Sequence, residues 1–257
     1  MSGDMYIAAA GALACEKRLQ IISNNLANAN TVGFKMDQGH MKLIDSADLP
    51  SQGAGDTEDL AASRAHLFWN NFSSYTDHSN GALKQTDNDF DLALVGKGFF
   101  SVQTPDGIRY TRKGDFTLNS EGVLVTSNGW PVLGEGGEIT VQNKENPHKF
   151  AKFIVDEMGN VSVDGKQVDN LRIVDFAEIS QLRKTGDTLF KPSDDKAGEA
   201  KVEDVKVSQG FVELSNVDSV KMMTEMIEVL RGYESYQKVI QSVDETYSQA
   251  INQIGVL

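Results

Sequence analysis

The sequence predicts an α+β fold, with long N- and C-terminal helices forming a coiled-coil-like assembly domain and a central antiparallel β-rich domain. Small and apolar residues recur at alternating steps of three and four near both ends of the 257-residue chain. Between these ends, short β-type runs alternate with turn residues. We therefore predict a helix segment over 1–36, a linker or assembly-ordered segment over 37–81, a β domain over 82–207 and a helix over 208–257.

The N-terminal repeat places a small or apolar residue at every third or fourth position. This first seam comprises Met5, Ala8, Ala12, Cys15, Leu19, Ile22, Leu26 and Ala29. Its small residues would let another helix approach closely, whereas Gly3 and Gly11 weaken the helix intrinsically. The Asn-rich stretch that follows predicts a helix end between Asn28 and Gly33.

The C-terminal helix is predicted to run for roughly 35 residues from a cap at Ser215 or Asn216, with Asp218 in its first turn. Its second seam comprises Val220, Met223, Ile227, Leu230, Tyr233, Tyr236, Ile240, Val243, Tyr247, Ala250 and Ile254. Two successive steps of three next to Gly232 predict a bend or a change of partner. Because such long periodic helices are typical of assemblies, the two seams could pair within the chain or between chains.

The centre of the chain has strand-like runs over 99–102, 108–110, 116–118, 123–125, 138–141, 152–155, 161–163 and 171–176. Turn sequences such as 105–107 and 119–122 separate them, which favours hairpins over βαβ units. On the N-terminal side, 48–63 is predicted to be a linker, and the apolar 67–69 and Phe72 are expected to pack on the β domain or a neighbour. The charged stretch 194–203 is predicted to be a solvated loop.

The composition excludes several kinds of protein. With 24 Lys and Arg against 37 Asp and Glu, the formal charge of −13 opposes non-specific binding to nucleic acid or to an anionic membrane. The single Cys15 excludes an intrachain disulfide and a Cys-rich metal site. The chain has no apolar run of about 18 residues and no signal-peptide pattern, so we expect no membrane insertion and no cleavable signal.

Motifs for catalysis or cofactor binding are not found. The histidines His40, His66, His78 and His148 have no metal-ligand spacing. Residues 87–91 imitate half a calcium loop, but Leu92 stands where that loop needs Gly and Gly98 where it needs Glu, so a turn is predicted. We therefore predict a non-enzymatic chain without cofactor or metal. The alternatives are a secreted β-domain binding module that uses Trp69 and Trp130, or a hydrolase that uses acidic residues.

Three blocks of sequence resemble the flagellar rod and hook family. They are 23–35, then 92–100 with 110–116 and 122–126, and finally 209–217 leading into 226–227 and 231–234. Within the family, the short β domain and both termini resemble the proximal rod proteins more than the distal rod or hook proteins. One departure is residues 86–89, because family members commonly have Gly directly after the Thr that Thr86 matches.

The resemblance implies a structural subunit of the bacterial flagellar basal-body rod, polymerising into the axial drive shaft that transmits torque. It implies export through the flagellar type III apparatus, a location in the periplasm-spanning rod, and contacts with its own copies and with other rod proteins. The candidate assembly residues are Met5, Ala8, Ala12, Cys15, Leu19, Ile22, Asn24, Asn25, Leu26, Asn28, Met223, Ile227, Leu230, Tyr233, Tyr236, Ile240, Val243, Tyr247 and Ile254. Asn24 and Asn28 lie four apart and could hydrogen-bond across a subunit contact.

Overall fold

A computed structural model describes residues 3–41, 72–141, 152–193, 199–201 and 205–254. The chain divides into two compact units. We call them the helical unit, formed by residues 1–27, 37–75 and 218–257, and the β unit, formed by residues 28–36 and 76–217. Within the described residues, no helix is sufficiently long and apolar to cross a membrane.

The helical unit contains α1 (Gly3–Ala27) and α2 (Ser219–Ile254), together with a two-stranded sheet of β1 (Asp37–Met41) and β2 (Phe72–Thr76). The end of α1 lies just before the predicted stop. α2 begins later than expected, because the N-cap is Asp218, whose Oδ1 accepts hydrogen bonds from the amides of Val220 at 3.0 Å and Lys221 at 3.1 Å.

The two helices run antiparallel and pack against each other within the helical unit. Near one end of the contact, Arg18 Nε donates to Glu225 Oε1 at 3.0 Å. Further along, Cys15 Sγ faces Gly232, and the ring of Tyr236 lies against Gly11. These pairs show that the face of α2 that carries Glu225, Gly232 and Tyr236 is the one directed at α1.

The predicted coiled-coil-like assembly domain is wrong, because the first part of the second seam does not lie on the face that α2 turns towards α1. Val220, Met223, Ile227 and Leu230 have exposed fractions of 75%, 52%, 53% and 41%. The stripe on the inner face is instead Met222, Met226, Val229, Tyr233, Tyr236, Ile240 and Val243, of which Met222 and Val229 are buried and Tyr236 remains 37% exposed. This stripe keeps strictly alternating steps of four and three, so the irregularity beside Gly232 disappears, and α2 is continuous through this residue.

The β unit is antiparallel and β-rich, as predicted. Its strands are β3 (Leu83–Gln85), β4 (Leu92–Val95), β5 (Phe99–Thr104), β6 (Gly107–Thr111), β7 (Thr117–Leu118), β8 (Leu124–Val125), β9 (Leu133–Gly134), β10 (Gly137–Glu138), β11 (Phe153–Val155), β12 (Asn160–Val163), β13 (Lys166–Asn170), β14 (Ile173–Phe176), β15 (Leu182–Gly186), β16 (Leu189–Pro192), β17 (Glu199–Lys201), β18 (Lys206–Gln209) and β19 (Phe211–Glu213). The largest sheet has the order β15-β16-β6-β5-β14-β17. β11, β12 and β13 form a second sheet. Two further antiparallel pairs are β18 with β4 and β19 with β3.

Two apolar clusters fill the β unit. Successive residues of a strand point to opposite faces, and Phe99 and Phe100 on β5 therefore enter different clusters. Phe100 packs with Phe116 at a ring-centroid distance of 5.2 Å in the first cluster. Phe99 packs with Phe190 at 5.5 Å in the second.

Some predicted segments differ from the structure. Glu199–Lys201 belongs to the predicted solvated loop but forms β17, because its backbone pairs with β14 whatever its side chains do. The linker prediction for 48–63 and the apolar 67–69 lie outside the described residues, whereas Phe72 begins β2. At the departure from the family pattern, Asp87 has φ 58°, so the backbone keeps a conformation that suits Gly.

Candidate functional site: the helix surface and a buried charge cluster

The candidate assembly residues on α1 lie mostly on its inner side. Ala8 and Ile22 are 4% and 2% exposed, and Ala12 is also buried. Five other members of the first seam are half-buried: Met5, Cys15, Leu19, Leu26 and Ala29. Burial raises the pKa of the Cys15 thiol, which the nearby Arg18 partly offsets.

On α2 the candidate residues divide into two groups. The exposed group comprises Met223, Ile227, Leu230, Tyr236 and Tyr247, and the half-buried group comprises Tyr233, Ile240 and Val243. The side chain of Ile254 lies outside the described residues. Met223, Ile227 and Leu230 form one exposed stripe with Val220, whereas the ring of Tyr236 lies against Gly11 of α1.

The Asn cluster has roles that its spacing did not predict. Asn25 is 1% exposed and bonds the backbone of Asp37 in both directions, donating from Nδ2 to the carbonyl at 2.7 Å and accepting from the amide at 2.9 Å. This pair fixes the end of α1 to the start of β1. Asn28 accepts from the Thr31 hydroxyl at 3.2 Å in the turn after the helix, and Asn24 is exposed.

A buried charge cluster lies entirely inside the β unit. Lys35 Nζ lies 2.6 Å from Glu213 Oε1, and Arg112 Nη1 lies 3.3 Å from Glu213 Oε2. The three side chains are 1%, 4% and 1% exposed for Lys35, Arg112 and Glu213 respectively. One carboxylate therefore joins two cations that water does not reach.

Backbone groups supply further hydrogen bonds to the cluster, although the buried Arg112 Nε has no partner among the described residues. Lys35 Nζ also donates to the Ser79 carbonyl at 2.8 Å, and Arg112 Nη2 donates to the Gly96 carbonyl at 2.7 Å. The Gly81 amide donates to Glu213 Oε1 at 2.8 Å. Buried charges are tolerated only with such partners.

Burial and pairing oppose each other in the electrostatics of the cluster. Burial lowers the pKa of Lys35 and of Arg112, and Glu213 raises both. His78 packs against Phe99 and Phe190 close by, with ring-centroid distances of 5.8 and 5.2 Å. Burial, together with the cations of Lys35, Lys184 and Arg112, lowers the pKa of His78 to about 4.

Sequence reasoning missed this cluster, although each of the three family-like blocks contributes one member. Lys35 comes from the first block, Arg112 from the second and Glu213 from the third. The available signal was a lone charge within an apolar run, as in Val212-Glu213-Leu214. That pattern marks a buried charge but does not identify its partner, because Lys35 and Glu213 are 178 positions apart.

The described part of the chain holds no group of three or more His, Cys, Asp or Glu residues arranged to bind a metal. His66 and His148 lie outside the described residues. Asn88 organises the 87–91 turn by donating to Asp91 Oδ1 at 2.9 Å. Trp130, which the binding-module alternative needs, packs against the first apolar cluster.

Three family models match the chain. They are the flagella basal body rod protein over residues 5–35, the flagellar hook protein FlgE/F/G D1 domain over 93–163, and the flagellar basal body rod FlgEFG protein C-terminal region over 208–254. The charge cluster draws Lys35, Arg112 and Glu213 from these three matched regions.

Full-length relatives give the same result. The chain is 33% identical to the flagellar basal-body rod protein FlgF of Caulobacter vibrioides over 99% of both chains. It is 32% identical to the flagellar basal-body rod protein FlgG of Bacillus subtilis, over 98% of this chain and 99% of that protein. The flagellar hook-basal body complex protein FlhO of Bacillus subtilis is also 32% identical, over 98% and 99%. The resemblance predicted from the sequence, to rod proteins of the proximal type, is confirmed, and the chain belongs to the flagellar basal-body rod protein family.

Proposed function

We propose that this chain is a structural subunit of the flagellar basal-body rod, which polymerises with its own copies and with other rod proteins into the torque-transmitting drive shaft. Membership of the rod family supports this function. The observation that carries it is the exposed stripe of Val220, Met223, Ile227 and Leu230 on α2. Contiguous apolar side chains on a surface are typical of an interaction site.

The stripe is separate from the helix pair. Met222 and Val229, which lie on the face of α2 directed at α1, are only 5% and 6% exposed. The exposed stripe therefore remains available to a neighbouring subunit while the helix pair stays intact. α1 contributes two further exposed apolar residues, Ile7 and Leu13, with exposed fractions of 68% and 39%.

The candidate assembly residues divide accordingly. We propose that Met223, Ile227, Leu230 and Tyr247 on α2 contact neighbouring subunits directly, whereas Tyr236 packs on α1. The buried and half-buried members, such as Ala8, Ile22 and Tyr233, hold the helix pair in the shape that presents them. Asn24 joins the first group because it is exposed.

We further propose that the subunit acts mechanically, without catalysis or cofactor, in the periplasm-spanning part of the basal body. The family resemblance supports passage through the flagellar export apparatus without a cleavable signal. Blocking that apparatus should leave the chain inside the cell, and secretion that continues without it would contradict the export route.

Charge on the stripe tests the assembly function. Ile227→Glu and Met223→Glu put carboxylates where apolar contacts are expected. The matched control is Ser235→Glu, which adds the same charge at an exposed position on a different face of α2. Motility in soft agar and the amount of the chain in purified basal bodies are measured in cells that lack the native copy.

We expect both stripe variants to fold, with a wild-type helical circular dichroism spectrum, because their side chains are exposed. They should be depleted from basal bodies and should reduce motility, whereas Ser235→Glu should retain both. Normal incorporation of the two stripe variants would exclude this stripe as the assembly surface.

A further inference from the structure

We propose that Lys35, Glu213 and Arg112 form a clamp that ties together the chain segments leading to and from the helical unit, and so carries mechanical load into the β unit. The hydrogen bonds and ion pairs of the clamp are sufficient to argue that it ties the segments together. Its load-bearing role rests on the proposed function.

The segments in question are those at which the chain changes unit. The chain leaves or enters the β unit at residues 28, 36, 76 and 217. Within the β unit, the Asp77 amide donates to the Met36 carbonyl at 2.8 Å, and the Met36 amide donates to Asn216 Oδ1 at 2.7 Å. Asn216 Nδ2 then donates to the Asp77 carbonyl at 2.9 Å. Three of the four connections are therefore joined within one hydrogen-bonded group.

The charge cluster anchors these same segments. The Gly33 amide donates to the Glu213 carbonyl at 2.7 Å, while the Glu213 carboxylate holds Lys35 and the Gly81 amide. Lys35 reaches the Ser79 carbonyl as well. Glu213, which belongs to the segment that ends at residue 217, thus holds the other two segments through its main chain and its side chain.

Arg112 connects the anchored segments to the strands of the β unit. It directly follows β6 in the six-stranded sheet, and its guanidinium bonds the carbonyls of Leu94 and Gly96 at 3.4 and 2.7 Å. A second tie comes from β15, where Lys184 Nζ donates to the Lys35 carbonyl and lies 4.2 Å from the centre of the Phe34 ring. Load on the segments would therefore divide among several strands.

Close backbone packing makes the clamp rigid. Gly33 has φ 68°, and a Cβ atom there would lie 2.4 Å from the Lys113 amide nitrogen. Only a residue without a side chain lets the first segment lie so close to the backbone after β6.

A clamp made of buried charges fixes the positions of the segments, but it adds little to the net free energy of folding. Replacing a buried ion pair with apolar residues is often neutral, whereas removing one partner leaves a buried charge uncompensated. Loss of Glu213 would leave two such cations, and loss of Lys35 would leave the Arg112–Glu213 pair intact. Loss of Glu213 is therefore expected to disrupt the clamp more than loss of Lys35.

Hydrogen exchange on the purified full-length chain tests the tie. The variants are Glu213→Gln and the milder Lys35→Met. The control is Glu157→Gln, which removes an exposed Glu157–Lys206 ion pair at 3.0 Å. Amide exchange is followed at Gly33, Met36 and Gly81, with amides of the β5–β6 ladder as the internal reference.

We expect Lys35→Met to speed exchange of the three clamp amides by at least about tenfold, with Glu213→Gln acting more strongly. The β5–β6 amides should keep their protection in Lys35→Met, and Glu157→Gln should match the wild type throughout. Unchanged clamp amides in Lys35→Met would overturn the proposal. Equal loss of protection in the β5–β6 ladder would also overturn it, since the cluster would then be part of the general core.

Swimming under load tests the mechanical role. Lys35→Met is expected to enter basal bodies in normal amounts and to swim at wild-type speed in dilute medium, but to lose speed or break rods in viscous medium. Wild-type behaviour in viscous medium, or failure to enter basal bodies, would contradict the load-bearing role. Absence of the wild-type chain from basal bodies would instead refute the proposed function and leave the exchange result standing.

Discussion

The ring of Tyr236 on α2 lies so close to Gly11 on α1 that a Cβ atom at residue 11 would be 2.4 Å from the ring carbon Cε1. Gly232 on α2 differs. A Cβ atom on Gly232 would be 3.6 Å from Cys15 Sγ, an ordinary contact distance. Of these two glycines, Gly11 is therefore the one required by packing.

Gly11→Ala is expected to destabilise the helix pair by about 1–2 kcal/mol, because displacing the Tyr236 ring costs more apolar contact than the higher helix propensity of Ala returns. Gly232→Ala is the matched control and should stabilise by about 0.5–1 kcal/mol. Urea unfolding followed by helical circular dichroism measures both. In a Tyr236→Ala background, Gly11→Ala should become stabilising, and an unchanged sign there would show that the ring is not the cause.

Asn25→Ala is expected to destabilise the helical unit by about 2–4 kcal/mol. The substitution removes both hydrogen bonds to the Asp37 backbone and leaves a part-buried amide and carbonyl without them. Asn30→Ala makes the same chemical change at an exposed position and should stay within about 0.5 kcal/mol. Thermal unfolding of both variants measures the difference. Equal effects would mean that the two hydrogen bonds between Asn25 and the Asp37 backbone do not contribute to stability.

Asp87→Gly is expected to stabilise the β unit by about 0.5–1 kcal/mol. Asp87 has φ 58°, and Gly adopts such a conformation without steric cost. The gain is limited by the lost hydrogen bond from Gln85 Nε2 to Asp87 Oδ1, which is 2.6 Å long but exposed. Asp89→Gly, where φ is not positive, should not stabilise. Chemical denaturation compares the two, and destabilisation by Asp87→Gly would show that the carboxylate outweighs the strain.

The stability of the β unit should fall as the pH drops from about 6.5 towards 4. Burial lowers the pKa of His78 to about 4 in the folded state, against about 6.5 in the unfolded chain. Between these values the unfolded state binds more protons, so stability is fully present above about 6.5 and is lost towards 4.

The loss should be about 1–3 kcal/mol, reduced from the full shift by the partial exposure of the imidazole. The groups facing the imidazole are the cations Lys35, Lys184 and Arg112 and the carboxylate Asp77. Unfolding at pH 7.0, 6.0 and 5.0 measures the slope. His78→Phe removes the titrating group and should flatten it, and an unchanged slope would assign the pH dependence to other groups.

Local pattern was enough to predict where the helices and several strands lie. The spacing of small and apolar residues found α1 and α2, and turn residues separated β5 from β6 and β7 from β8. β15 and β16 form a local hairpin but were missed because charged residues interrupt their apolar pattern, and β17 was missed because it pairs with the distant β14. Lys184 and Lys191, for example, are charged residues that interrupt the apolar pattern by which a strand is recognised in a sequence.

Sequence by itself determined the two long helices, the antiparallel β-rich centre and the family, because each depends on residues close together in the chain. Only the tertiary structure decided which of two adjacent apolar stripes on α2 packs against α1. Both stripes have helical spacing, and the choice follows from the fit of Tyr236 to Gly11 and of Gly232 to Cys15. Likewise, Glu213 lies 178 and 101 positions from Lys35 and Arg112. No local rule joins residues so far apart, because only folding brings the three charges into the same water-free space.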